Sequence, residues 1–371
     1  MVLIFLSGAP VSAGTKLYVN NILNTLFLPA GAWNQYRFAR AGDHINVDPD
    51  LIPRLERFAA KWRKEQVLLT FVDRYAAGGY QFRPLRRGRL TNAYTEGNRL
   101  FCEAELGDYI AVDGNFADWL QENAHGANYP HLVGNDPNNH NDGHYVVHTS
   151  AAWTSLPIVA TGDQLWTEHV DALAKTHRFQ NPPNHNFFFF RADVPRPTGG
   201  GTFSAKKGRF KVPSNSRFEL QLSYSWPFGA ASVPNTLFKV IHNKSLQSDV
   251  DEMQVANPFN LTVINYKTAK IPDEDEVKIE LAGDPDQNLF RPNAPVLLTI
   301  GLSGRQVVWG LLGFVAVVVG SAVTTSSGLS LGDFWDFHSL LAHFDWIKLG
   351  GEALKLFGLV FLLIIFGRKI T

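Results

Sequence analysis

The C-terminal part of this chain constrains its fold more than any other segment. No charged side chain occurs between Arg305 and Asp333, and the run Val307–Val323 within this stretch is apolar. It approaches the length needed to cross a hydrocarbon core of about 30 Å. A second apolar run covers residues 356–367. Together they predict a C-terminal helical transmembrane hairpin, with spans at about 306–324 and 353–367.

The segment between the two runs predicts contact with a membrane surface. Aromatic residues recur at helical spacing from Phe334 to Phe344, which is typical of an interfacial amphipathic helix, here at about 333–347. Lys and Arg at the flanks of spans mark the cytoplasmic side of a membrane. Such flanking residues here are Arg305, Arg368 and Lys369. We therefore expect an inner-membrane (cell-membrane) protein whose N-terminal domains are cytoplasmic.

The first predicted span carries small residues that permit close helix approach. They are Gly310, Gly313, Ala316 and Gly320. Two interpretations remain open. The spans either form a simple two-helix anchor or pack with those of other copies into an oligomeric pore.

The chain before these spans predicts two domains of an α+β, β-rich fold. Residues 1–197 form a mixed α/β domain, and residues 198–303 follow as an antiparallel β-sandwich. The transmembrane region, 304–371, comes last. Strands in the first domain are predicted at Leu3–Ser7, Thr25–Leu28, Val67–Val72 and Asn98–Leu106, and a helix at Asp50–Lys64. In the last of these strands every second residue from Leu100 to Leu106 is apolar, which is the period of a half-buried strand.

The β-sandwich prediction depends on strict alternation of apolar and polar residues. In Arg217–Trp226 every second residue is apolar, as expected of a half-buried strand. Val277–Leu281 shows the same period. Further strands are predicted at Leu237–Ile241, Phe259–Tyr266 and Val296–Ile300.

The charge distribution indicates a polyanionic ligand. The chain is neutral overall, yet residues 54–99 hold eleven Lys or Arg against four acids, and residues 100–174 hold eleven acids and no Lys or Arg. Cations interleaved with aromatic rings are typical of single-stranded nucleic-acid binding. The alternative is that the two blocks neutralise each other within the domain or across a subunit boundary.

The densest part of the basic block is Arg83–Arg89, where four guanidinium groups would repel one another without an anion or an acidic partner nearby. We therefore expect ligand contacts along this block. The candidates are Arg83, Arg86, Arg87, Arg89, Arg74, Tyr80, Phe82, Lys61 and Lys64.

A histidine-rich stretch offers a weaker alternative. Residues 125–148 contain five histidines and two aspartates, and both residue types are ligands of zinc and iron. Their spacing matches no ligand signature, and a single cysteine, Cys102, excludes a multi-cysteine site or a disulfide framework. We expect no cofactor, and a metal-dependent hydrolase using this loop remains an alternative.

This order of domains, together with the basic block, resembles the membrane effectors of prokaryotic antiphage defence, such as the DNA-gated effector of the Hailong system. The resemblance involves no residue-level motif, so no functional residue carries over. It implies a non-enzymatic oligomer whose cytoplasmic domain binds a nucleotide or single-stranded oligonucleotide, made by a partner protein, and gates a membrane pore. The other alternative is a membrane-anchored protein-interaction scaffold.

Overall fold

The computed structural model describes part of the chain. The chain divides into two compact units. The described residues are 2–8, 16–39, 66–74, 80–97, 99–114, 116–125, 145–149, 151–176, 179, 186–187, 189–225, 237–254, 261–269, 272–282, 289–290, 294–302, 304–327 and 353–359. The first unit comprises Met1–Lys211, Arg217–Lys267 and Glu274–Thr299, and the second comprises Val212–Ser216, Thr268–Asp273 and Ile300–Thr371.

An eight-stranded sheet forms the N-terminal part of the first unit. Its strands are β1 (Val2–Gly8), β2 (Trp33–Ala39), β3 (Gln66–Arg74), β4 (Tyr80–Glu96), β5 (Arg99–Val112), β6 (Ala124–His125), β7 (Tyr145–Thr149) and β8 (Ile158–Thr161). The order across the sheet is β2-β5-β4-β3-β1-β7-β6, and β8 pairs with β5. β1 runs parallel to β3, while β3, β4, β5 and β2 pair successively in antiparallel fashion.

Within the described residues, three helices accompany this sheet: α1 (Lys16–Phe27), α2 (Phe116–Asn123) and α3 (Leu165–Ala174), with a 3₁₀ turn at Trp153–Ser155. Alternate residues of β3 join different core clusters. Phe71 packs with residues of α1 and α3, whereas Leu68 and Val72 pack with residues of α2. Because successive side chains of a strand point to opposite faces, helices cover both faces of the sheet at this strand.

Most strands predicted in the first domain are confirmed. Along β5, Leu100, Cys102 and Ala104 are fully buried while Glu103 and Glu105 stay half-buried, which is the alternation that predicted the strand. The predicted strand at Thr25–Leu28 is wrong, because Thr25–Phe27 form the last turn of α1 and Leu28 follows it. The predicted helix at Asp50–Lys64 lies outside the described residues.

Within the described residues, the strands from residue 186 to residue 301 form two larger sheets and a short strand pair, so these sheets begin before the predicted sandwich boundary at residue 198. The strands are β9 (Asn186–Phe187), β10 (Phe189–Ala192), β11 (Arg196–Pro197), β12 (Ala205–Lys206), β13 (Arg209–Pro213), β14 (Arg217–Ser225), β15 (Leu237–His242), β16 (Leu246–Ser248), β17 (Glu252–Gln254), β18 (Leu261–Thr268), β19 (Asp273–Ala282), β20 (Leu289–Phe290) and β21 (Val296–Gly301). One sheet has the order β10-β14-β18-β16 with β11 beside β14, and the other has the order β12-β13-β21-β19-β15-β17. The predicted β-rich fold is confirmed, and these sheets are consistent with a sandwich.

The C-terminal transmembrane hairpin predicted from the sequence is corrected by the structure. Helix α4 spans Gly304–Ser327, and residues 353–359 are also helical. Among the described residues, no helix is long and apolar enough to cross a membrane. The apolar run Val307–Val323, which Ser321 interrupts, has 17 residues, at the lower limit of the length of a membrane span. The predicted interfacial helix at 333–347 lies outside the described residues.

Helix α4 packs against residues 353–359 through small residues. Gly310, Gly313 and Gly358 are buried, although their apolar neighbours along both helices are exposed. A Cβ atom on Gly358 would lie only 2.6 Å from the carbonyl oxygen of Gly313 and 2.7 Å from Cγ2 of Val317. The two backbones therefore approach closely at this point, as small residues allow.

Candidate functional site

Strand β4 carries all four arginines of the Arg83–Arg89 segment, but they do not share one surface. Arg86 is fully buried, Arg83 is half-buried, and Arg87 and Arg89 are exposed. An irregularity in the β4–β5 register between Arg86 and Gly88 accompanies this division. The side chains of Arg74 and Tyr80, and the whole of Lys61 and Lys64, lie outside the described residues.

Arg86 is bound internally. Its Nε donates to the carbonyl oxygen of Gly107 at 2.9 Å, and Nη1 donates to the carbonyl oxygens of Thr25, at 2.9 Å, and Leu28. The guanidinium carbon lies 4.3 Å from the centre of the Tyr109 ring. The carbonyls at the end of a helix have no partner within it, so Arg86 satisfies the C-terminus of α1. Because its guanidinium group is buried, Arg86 cannot contribute to a site on the surface.

Arg87 and Arg89 are paired with carboxylates of the neighbouring strand β5. Arg87 forms an ion pair with Asp108, and Nη2 of Arg89 lies 2.6 Å from Oε2 of Glu105. The repulsion expected within the arginine segment is thus relieved by the acidic block. Both arginines remain about half exposed.

Arg83 occupies a different environment, at the edge of a cleft. Within the described part of the chain, no carboxylate lies within ion-pair distance of its guanidinium group. Partial burial lowers the pKa of Arg83, and the charge of Glu168 opposes this shift. Removing a cation from water without a bonded counter-charge costs free energy that a bound anion would recover.

The cleft beside Arg83 has a volume of about 320 Å³, within the roughly 300–1,000 Å³ typical of small-molecule sites. It lies between β4, the end of β5, the start of α2 and the middle of α3. The lining residues are Gln81, Phe82, Arg83, Pro84, Ala111, Val112, Asp113, Gly114, Phe116, Ala117, Glu168 and His169. We name it the Arg83 cleft.

His169 forms part of the wall of the Arg83 cleft. Its Nε2 lies 2.9 Å from the carbonyl oxygen of Ile110, so Nε2 carries the proton and donates. Its Nδ1 is buried without a hydrogen-bond partner. Burial, followed by the charge of Arg83, lowers the pKa of His169 to about 4. The ring is therefore neutral at pH 7 and is held by a structural hydrogen bond.

The charges around the Arg83 cleft determine which ligands suit it. One guanidinium group faces the carboxylates of Glu168 and Asp113, and both acids are exposed. A polyphosphate or a nucleic-acid backbone would bring further negative charges that no second cation of the lining can pair with. A ligand with a single anionic group and several N–H or O–H donors matches these groups better.

The sequence indicated Arg83 and Phe82 but gave no signal for the other cleft residues. Gln81, Asp113 and Glu168 come from three segments, and successive members are 32 and 55 positions apart along the chain. None belongs to a motif, so only the folded sheet shows that they meet.

The other predicted sites have separate outcomes. Among the described residues, no group of three His, Cys, Asp or Glu side chains is placed to hold a metal ion, and most of the histidine-rich stretch lies outside those residues.

The small residues of the first predicted span were expected to pack against other helices. Gly313 contacts a helix of its own chain, and Ala316 is half-buried. The burial of Gly320 lies outside what the structure describes.

No protein-family model matches the chain, and no curated protein matches it significantly.

Proposed function

We propose that this protein is a non-enzymatic ligand-binding protein. Its first unit takes a small molecule with one anionic group, such as a mononucleotide, in the Arg83 cleft. The observation that carries this proposal is the half-buried Arg83 guanidinium, which lines a cleft of ligand size without an ion-pair partner among the described residues. An anion bound there would replace the hydration that Arg83 has lost.

The remaining groups of the cleft support a ligand that also donates hydrogen bonds. Glu168 and Asp113 can accept from hydroxyl or amino groups, and Gln81 can both accept and donate. Phe82 supplies an apolar surface for a base or a similar ring. This proposal narrows the predicted polyanionic ligand to a molecule of mononucleotide size.

Binding without chemistry is favoured by the state of His169. A general base must reach the proton that it removes. Here Nε2–H is bonded to the Ile110 carbonyl oxygen, and Nδ1 is shielded from solvent. His169, the histidine that lines the Arg83 cleft, therefore has a structural role.

The test compares two arginine variants of the full chain by isothermal titration calorimetry. The probes are 5′-AMP, 3′,5′-cyclic AMP and a single-stranded DNA oligonucleotide. Arg83→Gln should weaken mononucleotide binding by roughly 10- to 100-fold, the value of a hydrogen bond to a charged group. Arg87→Gln is the matched control, because it removes the same charge from an exposed residue of the same strand.

Two results would contradict the proposal. One is an equal loss of affinity in both variants, which would indicate a general charge effect. The other is preferential binding of the oligonucleotide with a steep dependence on salt, which indicates contacts with several phosphates.

A further inference from the structure

A second concave surface lies on the first unit, over β2, β5 and β4, separate from the Arg83 cleft. It has a volume of about 540 Å³. Its lining residues are Trp33, Arg89, Thr91, Asn92, Glu103, Glu105 and Lys207. We name it the Trp33 surface.

Strand register assembles the Trp33 surface. Trp33 pairs with Glu105, and Glu105 pairs with Arg89, so these three residues form one row across the sheet. The β4–β5 register shifts between Leu90 and Asn92. Bulges of this kind redirect side chains, and both Thr91 and Asn92 line the surface.

A tight turn fixes the wall of the surface beside Trp33. Lys207 and Gly208 both have positive φ angles, 54° and 74°, and the backbone N–H of Trp33 donates to the carbonyl oxygen of Gly208 at 3.2 Å. A Cβ atom on Gly208 would lie 2.2 Å from Cβ of Trp33. Only glycine allows this approach, which holds Lys207 at the edge of the surface.

Some polar side chains that line the Trp33 surface already have a hydrogen-bond partner, and others have none among the described residues. The Thr91 hydroxyl donates to the carbonyl oxygen of Glu103 at 3.1 Å. Within the described part of the chain, the side chains of Asn92, Glu103 and Lys207 form no hydrogen bond or ion pair. An amide, a carboxylate and an ammonium group together offer donors and acceptors at fixed positions.

The charge balance of the Trp33 surface selects the class of ligand. Arg89 and Lys207 face Glu103 and Glu105, so two positive charges balance two negative ones. A nucleic acid gains little from such a surface, because its affinity depends on neutralising phosphates. A neutral molecule rich in hydroxyl groups suits it, since each hydroxyl both donates and accepts.

We propose that the Trp33 surface binds a neutral carbohydrate chain. The indole ring offers a flat apolar face against the C–H face of a sugar ring. Asn92, Glu103 and Lys207 meet the hydroxyl groups at its edge. This inference is independent of the ligand assigned to the Arg83 cleft.

Affinity electrophoresis of the purified full chain tests the proposal. Native gels contain soluble β-glucan, mannan, xylan or no polysaccharide. At least one polysaccharide should retard the wild-type protein. Trp33→Ala should weaken that binding by roughly tenfold or more, and Asn92→Ala by several-fold, as expected for one lost hydrogen bond.

Two further variants separate binding from folding. Trp33→Phe keeps an aromatic face and should retain part of the retardation. Trp153→Ala removes a half-exposed indole elsewhere in the first unit and should match the wild type. Thermal unfolding confirms that each variant is folded.

Two outcomes would overturn the proposal. The first is a wild-type protein that none of these gels retards. The second is a folded Trp33→Ala variant that loses binding to single-stranded DNA while its retardation by polysaccharide is unchanged, which would assign the surface to nucleic acid.

Discussion

At the residue scale, Arg86 illustrates how a charged side chain becomes part of the core. It is fully buried, yet it forms no ion pair among the described residues. Its hydrogen bonds go to backbone carbonyls, and the Tyr109 hydroxyl donates to the neighbouring Leu26 carbonyl at 2.6 Å. Arg86 and Tyr109 therefore satisfy the acceptors that the end of α1 leaves open, and a cation also interacts favourably with the helix dipole there.

Replacing Arg86 should destabilise the protein strongly. Arg86→Leu removes the donors and leaves three carbonyl oxygens buried and unpaired, at a cost of about 1–3 kcal/mol for each such group. Arg86→Lys should recover only part of this loss, because an ammonium group cannot bridge the same acceptors in a planar fork. Urea denaturation measures both effects.

The control for Arg86 is Arg87→Leu, which breaks an exposed ion pair and should cost at most about 1 kcal/mol. Equal stability of Arg86→Leu and Arg87→Leu would contradict the capping role.

At the scale of secondary-structure elements, the alternation of apolar and polar residues predicted strands, but nothing in the sequence predicted how the helices pack. The period of β5 and β14 is local, and it predicted both strands. Thr25–Leu28 is an apolar run that predicted a strand by composition. The structure extends α1 to Phe27 because Ile22, Leu23 and Leu26 form one buried face against the core. The partners of that face are distant in sequence.

Gly358 should determine how residues 353–359 pack on α4. Gly358→Ala places a Cβ atom within 2.7 Å of the Gly313 carbonyl oxygen and of Val317, so the helices must separate. Hydrogen exchange of amides in α4 should therefore quicken in this variant. Leu354→Ala, at an exposed position of the same helix, should leave exchange unchanged, and equal rates in both variants would argue against close packing.

At the scale of the whole molecule, the opposed charge blocks meet within the first unit. Arg87 pairs with Asp108 and Arg89 with Glu105, and Arg83 lies in the field of Glu168. Mutual neutralisation was one of the two interpretations that the sequence left open. Composition cannot choose between them, because the choice depends on which strands are neighbours. Of the four arginines in Arg83–Arg89, Arg83 lines a cleft of ligand size and has no ion-pair partner within the described part of the chain.

Acid should destabilise the folded first unit through His169. Its folded pKa is lowered from 6.5 to about 4, chiefly by burial. Above pH 6.5 the ring is neutral in both the folded and the unfolded state, so it does not make stability depend on pH. Between pH 6.5 and 4 His169 binds a proton in the unfolded chain but not in the folded chain, so the free energy of unfolding falls as the pH falls. The shift corresponds to a loss of about 3 kcal/mol by pH 4.

His169→Gln isolates this contribution, because glutamine can donate to the Ile110 carbonyl oxygen but does not titrate. The variant should be less stable than the wild type at pH 7, because its packing is altered. Its stability should then decline less between pH 6.5 and 4, so that the two curves converge. Urea unfolding at several pH values measures the difference, in which the titration of carboxylates common to both proteins cancels. Parallel curves across this range would show that His169 is accessible to protons in the folded state, and that the hydrogen bond to Ile110 does not keep the ring neutral.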